Sequence, residues 1–272
     1  MKRDRRPAAF LLLAGIMAGA GCAAPADIAS PTGAAVSTTR STPSVAETTP
    51  APGEPAQHPG TDPAAVPAAG QPGTALAVLN QLPVKGRAPK TGYDRDQFGQ
   101  AWADTDRNGC DTRNDILRRD LTDLTIKPGT RGCVVLTGSL ADPYTGRQVQ
   151  FERGGASEVD IDHVVALGDA WQKGAQQWPT RERLAFANDP LNLLAVKAAA
   201  NRAKGDSDAA TWLPPARSYR CVYVARQVGV KAKYELWVTA AEKAAIARIL
   251  STCPDQRAAT GDAPTLAPIQ AT

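Results

Sequence analysis

Histidine is almost missing from this chain: 272 residues contain two, His58 and His163. His58 lies in a low-complexity stretch, so the folded part has a single imidazole, and a multi-histidine metal centre is excluded there. The chain also lacks a C-x-x-C pair, which weakens a zinc site. Its modest net charge of +4 is compatible with a polyanionic partner without establishing one. Long apolar runs are wanting too. The run at residues 8–17 falls short of the roughly 20 apolar residues that a transmembrane helix needs.

That short run has its own meaning. It follows the basic "MKRDRR" and leads through small residues to Cys22, the layout of an export signal over residues 1–22. Cys22 stands where a lipoprotein signal places its acylated cysteine, although the leucine usual three positions earlier is absent. Lipidation at Cys22, with membrane attachment through it, and simple cleavage near Ala23 or Ala24 both remain open. Residues 23–73 are nearly all Ala, Pro, Thr, Ser and Gly, and have too little apolar side chain to offset the entropy of ordering. They are expected to form a disordered linker, and residues 255–272 a disordered tail. The span 74–254 is left as one domain with its own core. The expected location is outside the cell, secreted or anchored to the outer face of the membrane.

Besides Cys22 there are four cysteines, Cys110, Cys133, Cys221 and Cys253. An even set in an exported chain points to disulfides, and closeness in sequence favours Cys110–Cys133 and Cys221–Cys253.

Periodicity predicts an α+β domain with little sheet and much helix. A helix capped by Thr74 opens it, and "TRNDILRRDLTDL" has the apolar spacing of an amphipathic helix through Leu121 and Leu124. "GCVVLTGSL" and "RQVQFERG" form a hairpin across "ADPYTG", and "SEVDIDHVVAL" is the next strand. Two helical patterns follow, the second capped by Thr180. Then come the strand "LNLLAV", a short helix ended by Gly205, and two closing helices, the last with a Thr239/Glu242 capping box.

The stretch "DIDHVVAL" carries the chemistry. Neighbours on a strand face opposite ways, so Asp162 and His163 can serve one site only at a strand end or bend. A carboxylate suits a hard cation, and an imidazole titrates near neutrality. With one imidazole available, a hydrolytic site here needs an oxygen-ligated metal such as magnesium, with His163 free as base. Downstream, Asn201 offers an amide oxygen, and Asn192 directly precedes the second strand.

"DIDHVVAL", "LNLLAV" and "NRAKGDSD", in that order, resemble the signature of ββα-metal, or HNH, nucleases in the variant where Asn closes the metal site. Over residues 93–254 the chain resembles exported actinobacterial HNH-family proteins, which share a domain with the C-terminus of GmrSD-type restriction endonucleases. The resemblance implies a ββα-metal (HNH) core with a small antiparallel sheet and several surrounding helices. It implies one Mg²⁺ or Mn²⁺ held by Asp162 and Asn201, with Asp160 as a weaker ligand, and His163 as general base. Asn192 would orient the His163 loop, and Lys204 would lie near the scissile phosphate. DNA is the implied partner, cut with little sequence specificity; no protein partner is inferable. The insertion "GDAWQKGAQQWPTRERLAFAND" is longer than the family pattern.

Lys173 and Arg202, with Arg181 and Arg183, flank these residues as candidate phosphate contacts or solvated helix faces. Trp171, Trp178, Trp212 and Trp237 fit core packing better than base stacking. Asp104, Asp106, Asn108, Gly109 and Asp115 follow calcium-loop spacing, but with Cys110 inside and no final Glu. Two other readings stand beside the nuclease: an inactive, surface-tethered nucleic-acid-binding module, and a calcium-dependent envelope protein.

Overall fold

A computed structural model describes residues 73–155 and 158–261. The export signal, Cys22, His58, the linker up to residue 72 and residues 262–272 lie outside the described residues; residues 255–261, expected in the disordered tail, are instead held to the domain, with Ala75 N donating to Gln256 O at 2.8 Å and Ala259 N to Ala225 O at 3.4 Å.

The centre is a two-stranded antiparallel ribbon. Strand β4 (Val159–His163) pairs with β5 (Leu193–Lys197) in an unbroken register from Val159↔Lys197 to His163↔Leu193. Both strands are largely buried on both faces; β5 accordingly reads as a nearly continuous aliphatic run, whereas β4 alternates aliphatics with Asp160 and Asp162. Val159, Ile161, Leu193 and Ala195 face one core, shared with a separate three-stranded antiparallel sheet and helix α2 (Thr112–Asp120). That sheet runs β1 (Thr122–Ile126), β2 (Val135–Ala141), β3 (Gln148–Glu152). Leu194 and Val196 face the other core, under α1 (Ala75–Gln81), α6 (Arg220–Lys233) and α7 (Ala240–Leu250). Each such fully buried aliphatic contributes about 1.5–3 kcal/mol.

Chain order carries β5 directly into α5 (Ala198–Lys204), so strand, strand and short helix form one local unit. Between β4 and β5 lie α3 (Leu167–Trp171), a 3₁₀ turn at Ala175–Gln177 and α4 (Thr180–Ala187). This is the long insertion. It builds a third core around Phe98, Trp171, Phe186, Leu191 and Leu236.

Three expectations on elements need correction. Leu121 caps α2 and Leu124 lies in β1, because the chain turns at Leu121; Leu121 is buried at the cap and Leu124 half-buried from the strand. Strand β4 stops at His163, and residues 164–166 bend away because Asn192 takes their backbone groups. Pro179, not Thr180, is the cap of α4, and Thr180 is its first residue. The expected Thr74 cap, β2–β3 hairpin, Gly205 stop (φ 52°) and Thr239/Glu242 capping box are all present. So are both disulfides, Cys110–Cys133 and Cys221–Cys253.

Candidate functional site

His163 ends β4 with its ring on the face of Val159 and Ile161, where Trp102 lies nearly parallel to it (16° between planes, 6.3 Å between centroids). Nε2 stands 2.9 Å from the Ala187 carbonyl oxygen. A carbonyl only accepts, so Nε2 carries the hydrogen and Nδ1 keeps the lone pair. Burial lowers the imidazole pKa to about 3; the Ala187 contact opposes this, and the charges of Arg95 and Lys204 add to it. At neutral pH the ring is neutral, with the lone pair of Nδ1 unprotonated.

Asn192 fixes the bend that follows. It is fully buried; its Oδ1 accepts from Val165 N at 2.8 Å, its Nδ2 donates to Val165 O at 3.2 Å, and its own carbonyl accepts from Val164 N at 2.7 Å. Around it, Arg119 and Arg226 donate to the carbonyls of Pro190 and Leu193, and Gln227 donates to Val164 O. These three were not read from the sequence. They stand 33 to 74 residues from the carbonyls they hold, and no local pattern marks them.

Asp162 leaves the opposite face of β4. Its Oδ1 accepts from Lys204 Nζ at 2.9 Å and its Oδ2 from the Tyr144 hydroxyl at 2.5 Å. Burial raises its pKa despite those two donors, and burial with the adjacent carboxylate pushes the Tyr144 phenol well above its usual range. Tyr144, in the turn of the β2–β3 hairpin, is a second residue that sequence reading missed. Asp160 lies on the Asp162 face, half-buried, and its Oδ2 accepts from Asn201 Nδ2 at 3.2 Å.

Lys204 does not reach towards solvent, as expected of a phosphate contact. It is 1% exposed, and its ammonium is spent on Asp162 and on the carbonyl of His163, because a buried carboxylate requires a counter-charge. Lys173 is corrected more sharply. It is fully buried between Asp169, Asp208 and Glu242 at 2.7–2.8 Å, so it cannot touch nucleic acid. Arg183 is likewise used inside, on the carbonyls of Gln97 and Trp178, whereas Arg181 and Arg202 are exposed. Trp171, Trp178 and Trp212 pack in aromatic clusters, and Trp237 donates to Gly86 O.

As donors for a magnesium-like cation, the half-buried Asp160 carboxylate and Asn201 side-chain amide fit by chemistry, since each carries a hard oxygen, although here it is the amide nitrogen that meets Asp160. Asp162 has both oxygens engaged, one by an ammonium. Among the described residues no group of three or more His, Cys, Asp or Glu side chains is gathered for a metal. In the Asp104–Asp115 loop, the acids close on Asn108, whose amide donates to Asp106 and Asp115 while its backbone N donates to Asp104.

A mixed α/β domain with small antiparallel sheets, several helices and an acid–imidazole strand end is the class that fold and site define. Residues 111–249 match the family described as GmrSD restriction endonucleases, C-terminal domain, and the chain belongs to that family. It is also similar to an uncharacterized secreted protein of Arthroderma benhamiae, 42% identical over 182 residues that span 66% of this chain and 85% of the relative. No solved structure matches it. The family is one of nucleases.

Proposed function

We propose that this protein is an exported, metal-dependent endonuclease of the ββα-metal (HNH) type, which hydrolyses phosphodiester bonds of DNA. The observation that carries the proposal is His163. It is held neutral at the end of β4, with Nε2 tied to Ala187 O and Nδ1 free to take a proton. The unit β4, β5, α5 and the membership in a restriction-endonuclease family support the same reading.

His163 Nδ1 accepts the proton of the attacking water, an effect worth about 10²–10⁴ in rate. Asn192 holds the bend beside it, so that the imidazole does not swing out of line. Asp160 and Asn201 would hold a single Mg²⁺ or Mn²⁺, with Asp162 behind them. When bound, that ion supplies charge neutralisation at the phosphate and the leaving 3′ oxygen. Asp162 and His163 emerge on opposite sides of the strand, so the substrate backbone has to cross the end of β4. Exposed Arg202, on α5, is placed to meet a neighbouring phosphate.

Export is supported by the N-terminal signal pattern, by two disulfides, and by a relative described as secreted. Whether Cys22 is acylated is read from the mass of the mature protein.

The test is nicking of supercoiled plasmid by the purified protein in Mg²⁺, Mn²⁺ or EDTA, beside His163→Ala. Metal-dependent nicking that the variant loses is expected; equal nicking by the variant would remove His163 from the mechanism. A second reading, an inactive binding module, is favoured by one observation: Asp162 is closed off by Lys204 and Tyr144. In the same assay that protein would shift DNA and never cut it.

A further inference from the structure

Two guanidiniums stand near each other beside β4 with no carboxylate bound to either, and no chemistry is assigned to them. Arg113 lies in the first turn of α2, the helix whose Ile116 and Leu117 pack with Val159 and Ile161, the neighbours of Asp160. Its side chain is half-buried, yet its guanidinium makes no hydrogen bond or ion pair with any described residue. It rests on the indole of Trp102, 5.8 Å from the ring centroid, and the same indole lies parallel to the His163 ring at 6.3 Å. Arg153, just after β3, donates to Val135 O at 2.6 Å and to Asn114 Oδ1, both neutral acceptors, and it too is in no ion pair with a described residue. Asp111, two residues before Arg113, is committed to the cap of α2: its two oxygens accept from Asn114 N and Nδ2, each at 2.8 Å. Burial and the Arg153 charge lower the Arg113 pKa, while Asp160 and Asp111 oppose them, and a guanidinium so placed stays charged.

Like charges held close repel, and N–H donors drawn partly out of water need acceptors. An oxyanion answers both needs. In a nuclease that oxyanion is a phosphodiester, whose two non-bridging oxygens match the guanidinium fork. Lys204, the cation that the motif would bring to the phosphate, is spent on Asp162, so that place is open to another residue. We infer that Arg113 is a phosphate-binding residue of this site, holding the scissile phosphodiester between the indole stacked on His163 and the carboxylate of Asp160, with Arg153 adding positive charge. Trp102 is then a spacer that sets imidazole and guanidinium relative to each other. The role in cleavage rests on the nuclease reading; the phosphate contact itself does not.

Binding and cleavage test this separately. The full chain in EDTA is titrated into a fluorescein-labelled DNA duplex at several salt concentrations, with anisotropy as the readout. Arg113→Gln should weaken binding several-fold and reduce the salt slope by about 0.9, the loss of one phosphate contact. Arg248→Gln, which removes an exposed charge on α7, should leave both unchanged. In Mg²⁺, plasmid nicking by Arg113→Gln should fall about 10²–10³-fold, the range for one lost oxyanion donor. Arg113→Lys keeps the charge and stays informative if the glutamine variant loses its fold. It should bind almost as well as wild type yet cut at least about tenfold more slowly, because a point charge lacks the fork. Added guanidinium ion should restore part of the nicking to Arg113→Ala and none to His163→Ala. Wild-type affinity and salt slope in Arg113→Gln, or wild-type nicking by Arg113→Lys, overturns the inference. If wild type nicks through His163 while Arg113→Gln binds and cuts normally, the nuclease stands and Arg113 has no part in it. If wild type never nicks, the nuclease reading fails, and the binding titration alone decides the phosphate contact.

Discussion

Two groups of charge are buried in this domain, and they are built to opposite ends. In one, Lys173, Lys231 and partly exposed Arg87 meet Asp169, Asp208 and Glu242, three cations against three carboxylates, at 2.5–3.0 Å. Burial alone would raise Asp169, but Lys231 and Lys173 outweigh it and hold its pKa at about 2; burial alone would lower Lys231, but Asp169 and Glu242 raise it. The group ties α3, α6 and α7 together, and Glu242 also closes the α7 capping box. In the other, Asp162 and Lys204 are paired, yet His163 next to them has no counter-charge and lines a cleft with unpaired Arg95. A charge set that satisfies itself is scaffold. One that leaves a neutral base and a free cation at the surface is a place for a ligand. Lys173, near the motif in sequence, belongs to the first kind.

The largest way to sharpen this contrast is to remove one member from each group. His163→Ala should lower plasmid cleavage by about 10²–10⁴-fold with the fold kept, as read by nicking and circular dichroism. Lys231→Met should do the reverse: a loss of about 3–5 kcal/mol in urea unfolding, because two buried carboxylates lose a partner, with DNA affinity of the folded fraction unchanged. A folded Lys231→Met with normal stability and no DNA affinity would invert the comparison.

Next in size is the disulfide joining α6 to the end of α7. Replacing Cys221 and Cys253 together by serine should cost about 2–4 kcal/mol, and the melting temperature should fall accordingly.

The smallest effect is on pH dependence. The folded imidazole titrates at about 3, well below its usual 6.5, so above pH 6.5 it is neutral in both states and contributes nothing. As pH falls from 6.5 the unfolded chain gains a proton that the folded chain refuses, and stability drops. The loss attributable to His163 should reach about 2 kcal/mol at pH 5. Urea melts of wild type and His163→Asn at pH 7 and pH 5 measure it: the variant should lose less on acidification. Parallel losses would mean that the ring is not buried neutral.

Much of this was legible beforehand. Caps, the β2–β3 hairpin, the Gly205 stop and the cysteine pairing are local or nearly so, and local chemistry announces them. The order of "DIDHVVAL", "LNLLAV" and the helix after it was enough to place β4, β5 and α5. Legibility failed where a residue's role depends on who comes to meet it. Lys173 and Arg202 are both basic helix-side residues, and nothing in their neighbourhoods says that one is enclosed by three acids and the other left in solvent. Tyr144 is a turn residue in sequence and a buried partner of Asp162 in space.

The sequence by itself determined most of the elements and the single imidazole of the described domain, and it favoured the cysteine pairing that the structure has. Those follow from periodicity, caps and composition, which act over a few residues. Only the tertiary structure decided which charges are neutralised inside, that Lys204 faces Asp162 and not solvent, and that Arg95 and Trp102 stand opposite His163. Burial and pairing are properties of segments tens of residues apart brought into contact, and they decide whether a charged side chain is held within the fold or left free to bind.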